Sequence, residues 1–504
     1  MEERYIAAID LGSSKIALTV AKVSGHDIQV LFYREKPSAG IRNSAVFNPQ
    51  KASGPIWSVI SEAEKELKIK IMQVVVGLPP CDVRQEINQA RVERTHPDES
   101  ITAEEVEALK SLAQDEYPLS DPDREELYGA VAQSYSDDEN FQMIESDIIG
   151  VISATFEGNF KLFIGKKSSV RTIDKVFNDL GIAVARKYFT PDAIARAVLT
   201  EEEMNGGVAL VDLGGGATSV TIYKGKVMRY YASIPFGGKN VTTDIQSECT
   251  ISETLAENIK LAFGACQPDR LQNLGEKIIQ IEGDSMDGLR QIPVQYLSEI
   301  ITAREREIVD AILWEIEQSG LADSLRSGIV ITGGAAGMTN LGNMIRDISG
   351  YTVRQGLPRH LFSASGCPGV FSTSATTSLG MVIAAQDDPS ISCLEEPPVQ
   401  EEEEEPVEEE VAVAAAEVAE EPATEAEAPA EPEAPAAEEN AANAPSSLFG
   451  TEVEKEVTVK KERAKKHKEP KKPHLFSITW GKLTQVVGNL YDKSGNDNQE
   501  DNQL

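Results

Sequence analysis

The chain has 504 residues, of which 82 are Asp or Glu and 48 are Lys or Arg, giving a formal net charge of −34. This length allows two or more domains, and the acidity argues against a nucleic-acid partner, because phosphate contacts need a basic face. The acidity is uneven, however, since residues 395–440 contain 19 Glu and no Lys or Arg.

The N-terminal and cysteine patterns predict a cytoplasmic protein. The first residues, MEERYI, lack the basic stretch and apolar run of a signal peptide. No run approaches the ~18 apolar residues that a membrane-spanning helix needs. The five cysteines are widely spaced and include no CxxC pair, which is typical of reduced thiols rather than of a disulfide framework or metal site.

Composition divides the chain into a globular part and a long tail. Residues 1–386 alternate β-rich runs, glycine turns and helical stretches, which is typical of an α/β protein. Residues 387–473 form a linker, first acidic and then basic, that is too polar to bury a core and is expected to be disordered. An apolar-periodic segment follows at 474–491, and residues 492–504 are again expected to be disordered.

Two segments of the globular part have the same form. The strand-like run that ends in Asp10-Leu11-Gly12 is followed by small residues and a second β-rich run. The same order recurs around Asp212-Leu213-Gly214, roughly 200 residues later, a spacing that favours a duplicated pair of domains over a short repeat. Each segment predicts a β-hairpin with a tight turn.

Both predicted turns have the composition of a phosphate-binding loop. Glycine and serine let backbone N–H groups approach an anion closely, and an Asp just before the turn suits Mg²⁺. For one copy, a plain hairpin with turn glycines is the main alternative, and the second Asp at the same offset disfavours it. The candidate phosphate-binding residues are Gly12, Ser13, Ser14, Lys15, Gly214, Gly215, Gly216 and Thr218, and the candidate metal ligands are Asp10 and Asp212.

A third glycine-rich turn follows the strand-like run 328–332. Gly333, Gly334 and Ala335 lie in this turn and leave room for a flat ring or a ribose against the backbone. A helix is predicted directly after it, over 341–348.

The segment 252–263 also predicts a helix. Glu257 and Lys260 lie three residues apart on one face of this helix. In isolation, a surface ion pair is the favoured interpretation of these two residues.

Taken in order, four motifs resemble the actin/Hsp70/sugar-kinase ATPase superfamily: Asp-Leu-Gly-Ser-Ser-Lys, Asp-Leu-Gly-Gly-Gly-Ala-Thr, Ala-Glu-Asn-Ile-Lys and Thr-Gly-Gly-Ala. The resemblance implies an α/β, actin-like ATPase fold with two RNase-H-like subdomains and smaller inserted subdomains. It also implies ATP and Mg²⁺ as cofactors. The hairpins would then clamp the phosphates, Asp10 and Asp212 would hold Mg²⁺, and the other candidates would contact the adenosine, namely Glu257, Lys260, Gly333, Gly334 and Ala335.

Within that superfamily, the segment 236–245 resembles the Gly-Gly-x-x-Ile/Val-Thr-x-Asp-Ile segment of the FtsA family of bacterial cell-division proteins. The resemblance implies an ATP-binding, polymerising protein that anchors FtsZ filaments to the cytoplasmic face of the inner membrane at the division site. Its partners would be FtsZ, further copies of itself, inner-membrane lipids and other division proteins. FtsZ would bind the second large subdomain, through residues that no motif marks.

The same resemblance predicts the domain boundaries. The expected parts are subdomain 1 at 1–80, an insertion at 81–165, more of subdomain 1 at 166–206, subdomain 2 at 207–375 with an insertion about 240–300, and a closing helix at 376–386.

The tail carries an apolar stripe beside a basic cluster. At 100° per residue, most apolar residues of 474–491 lie on one side of the predicted helix, with Gly481 and Gly488 weakening it in water. Eight basic residues in 460–472 favour an anionic membrane over the alternative, a partner's groove. The candidate membrane residues are Leu475, Phe476, Trp480, Leu483, Val487 and Leu490.

Two other functions remain open on the residues alone: a small-molecule kinase of the same superfamily, and a pilus-assembly or cell-shape actin homologue. A kinase needs an Asp general base, for which the sequence carries no signature. The linker and terminal helix argue against both. ATP hydrolysis is expected to be weak at most, since Thr190 and Asp192 are the only candidates to position a water.

Overall fold

A computed structural model describes residues 3–282 and 289–394. The linker beyond residue 394, the predicted membrane helix with its six candidate residues, and the C-terminal tail lie outside the described residues. Within the described ranges, none of the helices is both long enough and apolar enough to cross a bilayer.

The β-strands are numbered in chain order. They are β1 (Arg4–Leu11), β2 (Lys15–Ser24), β3 (Asp27–Pro37), β4 (Ile41–Arg42), β5 (Ala45–Val46), β6 (Gln73–Leu78), β7 (Arg84–Glu93), β8 (Glu125–Asp137), β9 (Thr155–Lys166), β10 (Ala183–Phe189), β11 (Val208–Leu213), β12 (Thr218–Lys224), β13 (Val227–Ile234), β14 (Ile278–Glu282), β15 (Leu289–Pro293), β16 (Ile329–Thr332), β17 (Val353–Gln355) and β18 (Ser363–Ala364).

The α-helices follow the same order. They are α1 (Pro49–Leu67), α2 (Ala103–Asp115), α3 (Glu145–Ile148), α4 (Lys167–Leu180), α5 (Thr190–Val198), α6 (Glu201–Gly206), α7 (Gly238–Cys249), α8 (Glu253–Phe263), α9 (Val294–Gln318), α10 (Leu341–Ser349) and α11 (Thr376–Gln386).

Two sheets form the body, and they share one topology. The first has the order β10-β6-β1-β2-β3-β18, and the second has the order β13-β12-β11-β16-β17. In each sheet three consecutive strands form an antiparallel meander, and the next strand pairs in parallel with the first of them. This repeat agrees with the duplicated pair of domains expected from the two Asp-Leu-Gly segments, and with the two RNase-H-like subdomains that the superfamily resemblance implies.

The central strands of both sheets are buried along most of their length. β1 and β11 consist almost wholly of apolar residues, since helices cover both faces of such strands and no polar face is needed. α1, α4, α5 and α11 pack on the first core, and α7, α8, α9 and α10 pack on the second. The first core also includes Leu210, Tyr223 and Val330 of the second sheet, so the two sheets share part of one hydrophobic core.

A third, three-stranded sheet in the order β7-β9-β8 occupies part of the segment 84–166. With α2 it encloses a small core of its own, which includes Tyr135, Phe156 and Phe160. This sheet lies within the stretch where the sequence predicts the first insertion. The limits of that subdomain, and of the second insertion around α7, α8, β14 and β15, stay predictions.

The linker begins later than the predicted boundary at residue 387. Ile391 and Cys393 are buried against the first sheet, and the N–H of Cys393 donates to the carbonyl of Tyr5 at 2.8 Å. The carbonyl of Cys393 in turn accepts from the N–H of Met72 at 3.0 Å. Residues up to Leu394 therefore belong to the folded body, because the run 391–394 pairs through its backbone with the chain beside β1 and β6 and buries two of its side chains.

Candidate functional site

The two predicted hairpins are present, and their turns are equivalent. Leu11 pairs with Ile16 across the first turn, and Leu213 pairs with Thr218 across the second. A Cβ added to Gly12 would lie 2.6 Å from the carbonyl oxygen of Lys15. The matching Cβ on Gly214 would lie 2.7 Å from the carbonyl oxygen of Ala217, so both turns require glycine at this position.

The turns from the two sheets face one another. A Cβ on Gly215 would overlap the side chain of Ser14, and a Cβ on Gly216 would lie 2.6 Å from Ser13 Oγ. Four of the predicted phosphate-binding residues, from segments far apart in the chain, therefore meet at one place. Glycines on the second turn permit this approach because they present only backbone to the serines.

Lys239, at the start of α7, joins the two turns. Its Nζ donates to the carbonyl of Ser13 at 2.7 Å, and its N–H donates to the carbonyl of Gly215 at 2.8 Å. The N–H of Gly238 donates to the carbonyl of Gly214 at 3.0 Å. Sequence reasoning missed Lys239 as a site residue, although it lies in the glycine-rich segment 236–245 that carries the family resemblance.

Asp10 and Asp212 occupy matching positions on β1 and β11, directly before the turns. Burial raises the pKa of Asp10 to about 6, with the charge of Lys15 opposing the rise. Burial raises the pKa of Asp212 to about 7, and the nearby negative charge of Asp10 adds to the rise. Among the described residues, none donates a hydrogen bond to either carboxylate. The two therefore form a paired acidic site whose oxygens are free to bind a cation.

Two other predicted residues use their polar groups within the protein. Lys15 Nζ pairs with Glu35 Oε1 at 2.5 Å and donates to the carbonyl of Ser374 at 2.9 Å. Thr218 is fully buried, and its hydroxyl donates to the carbonyl of Phe236 at 2.9 Å. Lys15 supplies a positive charge near Asp10 and Asp212, whereas the Thr218 hydroxyl has a structural partner.

In the pair Glu257 and Lys260, the lysine is largely covered by the protein, whereas the Glu257 side chain is 36% exposed. The Lys260 side chain is only 9% exposed, and its Nζ lies 2.8 Å from Glu257 Oε2. Lys260 Nζ also donates to the carbonyl of Gly238 at 2.9 Å and to Thr242 Oγ1 at 2.8 Å. These contacts tie α8 to the start of α7, beside the second turn.

The third glycine turn packs against the second hairpin. Gly333 has a φ of 89°, and a Cβ there would overlap the Asp212 carboxylate and lie 2.6 Å from the carbonyl oxygen of Leu213. Gly334, by contrast, has open space where a side chain would lie. Ala335 Cβ would be 3.4 Å from a Cβ on Gly238, so the third turn, α7 and Lys260 are neighbours.

A cavity of about 390 Å³ opens beside the paired turns. The connection between β3 and α1 forms one wall, and the start of α7 forms the other. Its lining is polar and basic, and includes Ser13, Arg42, Asn43, Lys239 and Asn240. The cavity thus offers an anionic ligand positive charge and hydrogen-bond donors next to the turns.

The two candidates for positioning a water have other partners. The Thr190 hydroxyl is buried and lies 3.4 Å from the carbonyl of Leu78. Asp192 pairs with Arg196 at 3.1 Å and accepts from the hydroxyl of Tyr223 at 3.4 Å. Both side chains therefore already have a polar partner within the protein.

Comparison with known proteins identifies similar chains. Residues 209–380 match the family model described as cell division protein FtsA. The chain is 28% identical over 386 residues to the cell division protein FtsA of Neisseria meningitidis serogroup B, which covers 76% of this chain and 91% of that protein. It is 28% identical over 357 residues to the FtsA of Pseudomonas aeruginosa, covering 70% of this chain and 83% of that protein.

A solved structure shares the fold. The structure titled PilM-PilN type IV pilus biogenesis complex aligns with a TM-score of 0.50, covering 75% of this chain and 98% of that chain. Its sequence identity is 14%, so the likeness concerns the fold alone. Together with the paired sheets, these comparisons confirm an actin-like α/β fold.

Proposed function

We propose that this chain, which is similar to the cell division protein FtsA of several bacteria, binds Mg²⁺-ATP and tethers the division filament to the membrane. Nucleotide binding would take place between the two facing hairpin turns. The tether would consist of the tail beyond residue 394. The partners would be FtsZ, further copies of the chain, inner-membrane lipids and other division proteins.

The observation that carries this proposal is the pair of equivalent turns, one from each sheet, with Asp10 and Asp212 behind them. Backbone N–H groups of glycine and serine turns suit phosphate oxygens. Two carboxylates without hydrogen-bond donors suit a hard cation that also contacts those phosphates. A bound Mg²⁺ would offset the repulsion between Asp10 and Asp212, two half-buried acids whose charges are near enough to affect one another.

The adenosine half of the ligand fits the other side of the second turn. Gly334 leaves space for a flat ring or a ribose against the backbone. Glu257 and Lys260 are held in place by α7 and would provide polar contacts at the edge of that space. The nucleotide would thus contact both sheets, and its binding would change the distance between the two hairpin turns.

We propose ATP as a ligand for assembly, with at most weak hydrolysis. Thr190 and Asp192 are engaged with Leu78, Arg196 and Tyr223, so neither is an obvious partner for an attacking water. The conformational role of ATP does not require a general base.

The tail supplies the membrane contact in this proposal. The stripe of Leu475, Phe476, Trp480, Leu483, Val487 and Leu490 would enter the interface of the bilayer, and the basic cluster before it would bind anionic headgroups. One short helix binds reversibly, so polymerisation of the body would gather many weak anchors into a firm attachment. FtsZ would then be held at the cytoplasmic face of the inner membrane at the division site.

Nucleotide binding is tested by titrating the full chain with a fluorescent ATP analogue, with Mg²⁺ and with EDTA. The expected result is Mg²⁺-dependent binding that weakens at least tenfold in Asp212→Asn, because the carboxylate pair holds the cation. Asp98→Asn, an exposed Asp far along the chain, is the matched control and should bind as the parent does. Equal affinities of the parent and both variants would contradict a nucleotide site between the two turns.

The membrane tether is tested by co-sedimentation with vesicles that contain phosphatidylglycerol. A chain ending at Leu394 retains the docked segment 391–394 and should stay in the supernatant, whereas the full chain should sediment. Trp480→Glu in the full chain places a charge in the apolar stripe and should lower the sedimented fraction several-fold. Sedimentation of the truncated chain at the parent level would contradict the tether.

A further inference from the structure

The folded body ends beside a basic and aromatic patch on the exposed face of α1. Trp57 and Lys65 lie eight residues apart on one side of α1, and Lys68 follows the last residue of the helix in a left-handed conformation. Lys70 and Met72 continue the patch just before β6. We call these five residues the exit patch, because Leu394 pairs with Ile71 in their midst, at the end of the described chain.

The exit patch combines exposed apolar surface with unneutralised charge. Trp57 is 43% exposed and Met72 is 41% exposed, both large for side chains of their type. Lys70 Nζ lies 5.6 Å from the centre of the Trp57 ring and 2.9 Å from Glu64 Oε1. Lys65 and Lys68 are exposed and have no ion-pair partner among the described residues. The patch therefore presents two free positive charges and a cation-covered indole ring.

The chain that leaves this point has the complementary composition. Leu394 is followed by Glu395, Glu396, Pro397 and Pro398, and residues 395–410 contain ten Glu without a Lys or Arg. Glutamates suit the lysines of the patch, and a pair of prolines suits an exposed aromatic ring, as in proline-rich segments that dock on aromatic grooves. The segment that begins at Glu395 therefore complements the exit patch in both charge and shape.

The position where the described chain ends holds the acidic segment next to the exit patch. Leu394 pairs with Ile71 in antiparallel orientation. Lys70 and Lys68 lie one and three residues before Ile71, and an extended chain advances about 3.3 Å per residue, so the glutamates that directly follow Leu394 in the sequence are within reach of both lysines. A segment attached directly at its docking surface has a local concentration in the millimolar range, so weak contacts suffice.

We propose that the exit patch is a docking surface for the chain's own acidic segment 395–405. The docked segment covers Trp57 and neutralises Lys65 and Lys68. The linker therefore leaves the body in a fixed direction, and the lysines of the exit patch are hidden from other anionic surfaces. This inference does not depend on ATP binding or on the terminal helix. An anionic bilayer and a second copy of the chain are the two other occupants that the same chemistry admits.

Zero-length carbodiimide coupling of the full chain, followed by peptide mass spectrometry, tests the docking directly. The expected products join the exit-patch lysines to glutamates of 395–405, at yields roughly tenfold above those for Lys51 and Lys277, because only tethered partners share a high local concentration. About 0.5 M NaCl should abolish the difference, since exposed charges are then screened. A mixture of isotope-labelled and unlabelled chains separates coupling within a chain from coupling between chains.

A variant pair supplies the control. Lys65→Glu with Lys68→Glu should increase cleavage of 395–405 by a Glu-specific protease several-fold, whereas Lys51→Glu with Lys277→Glu, an equal change in charge at exposed sites elsewhere, should leave the rate unchanged. Both variants should keep the parent's circular dichroism, because neither removes an ion pair seen in the structure.

Three results would overturn the proposal. Equal coupling yields at patch and control lysines would show that the segment is not docked. Coupling only between differently labelled chains would assign the patch to a second copy. Protection of Lys65 and Lys68 from amine acetylation only after phosphatidylglycerol vesicles are added would assign it to the bilayer.

Discussion

Replacing Asp212 by Asn should make the ligand-free protein more stable while removing its response to Mg²⁺-ATP. Asp212 lies on β11 beside Asp10, and no described residue donates a hydrogen bond to either carboxylate. Asn has nearly the same shape but carries no charge, so it removes the repulsion and the cost of burying a carboxylate. The same change removes a ligand from the proposed cation site. Stability and binding should therefore change in opposite directions.

The magnitude follows from the pKa of Asp212, which burial and the charge of Asp10 raise from 3.8 to about 7. A group whose pKa is raised in the folded state favours folding at low pH and loses that contribution as the pH rises through the folded value. At 1.36 kcal/mol per pKa unit the ceiling is about 4 kcal/mol, and partial access of water lowers the expected gain to about 2–4 kcal/mol.

The assay is urea unfolding of the parent and of Asp212→Asn at pH 5 and pH 8.5, with and without Mg²⁺-ATP. Above pH 7, without ligand, the variant should have the higher midpoint, and the difference should shrink towards pH 5 because the parent's carboxyl is then protonated in the native state. With Mg²⁺-ATP only the parent should gain stability. Asp98→Asn controls for a change in net charge.

Two results would refute this reasoning. A parent and variant that are equally stable at pH 8.5 would mean that the Asp212 carboxylate is not strained by its surroundings. A variant that still gains stability from Mg²⁺-ATP as the parent does would mean that this carboxylate does not hold the cation, whatever its pKa.

Three further changes give expected outcomes. Glu305→Gln should raise the free energy of unfolding above pH 7 by about 2–3 kcal/mol and have little effect at pH 5. The reason is that burial raises the pKa of Glu305 to about 7 and that its Oε2 has no partner among the described residues. Urea midpoints at both pH values check this, and the exposed Glu317→Gln should leave them unchanged. Gly333→Ala should lower the unfolding free energy by about 2–4 kcal/mol, since its φ of 89° disfavours a side chain and its Cβ would strike the Asp212 carboxylate; a thermal midpoint equal to the parent's would contradict the tight packing of this turn. Lys260→Met should weaken binding of adenosine nucleotides by roughly tenfold, because the largely covered ammonium pairs with Glu257 at the proposed ribose site. Titration with ATP and with inorganic triphosphate tests this, and an equal loss for both ligands would place Lys260 at the phosphates instead.

The local pattern of the sequence was sufficient for the two hairpins and their candidate residues. Asp-Leu-Gly followed by small residues specifies a buried strand and a tight turn, and both are properties of neighbouring residues. The 3.6-residue periodicity likewise marked the helices around Glu257 and after Gly333. The duplicated topology of the two sheets followed from the repetition of one motif.

Other contacts were not predictable in this way. Lys239 bridges Ser13 and Gly215, and Lys15 pairs with Glu35, through packing between segments that are distant in the chain. The folded body extends past the predicted linker boundary at 387, because the short run 391–394 gains a structural role only when Tyr5 of β1 and Met72, just before β6, offer it backbone partners.

By itself, the sequence determined the local features: two glycine-containing turns, each preceded by an Asp, and a tail with an acidic linker and a predicted apolar stripe. Only the tertiary structure decided that Gly215 and Gly216 face Ser14 and Ser13, that Asp10 and Asp212 form one acidic pair, and that the chain leaves the body beside Trp57 and free lysines. The physical reason is that turn type and helix faces depend on residues within a few positions of each other. The approach of two sheets depends on burial of side chains hundreds of positions apart, which no local pattern encodes.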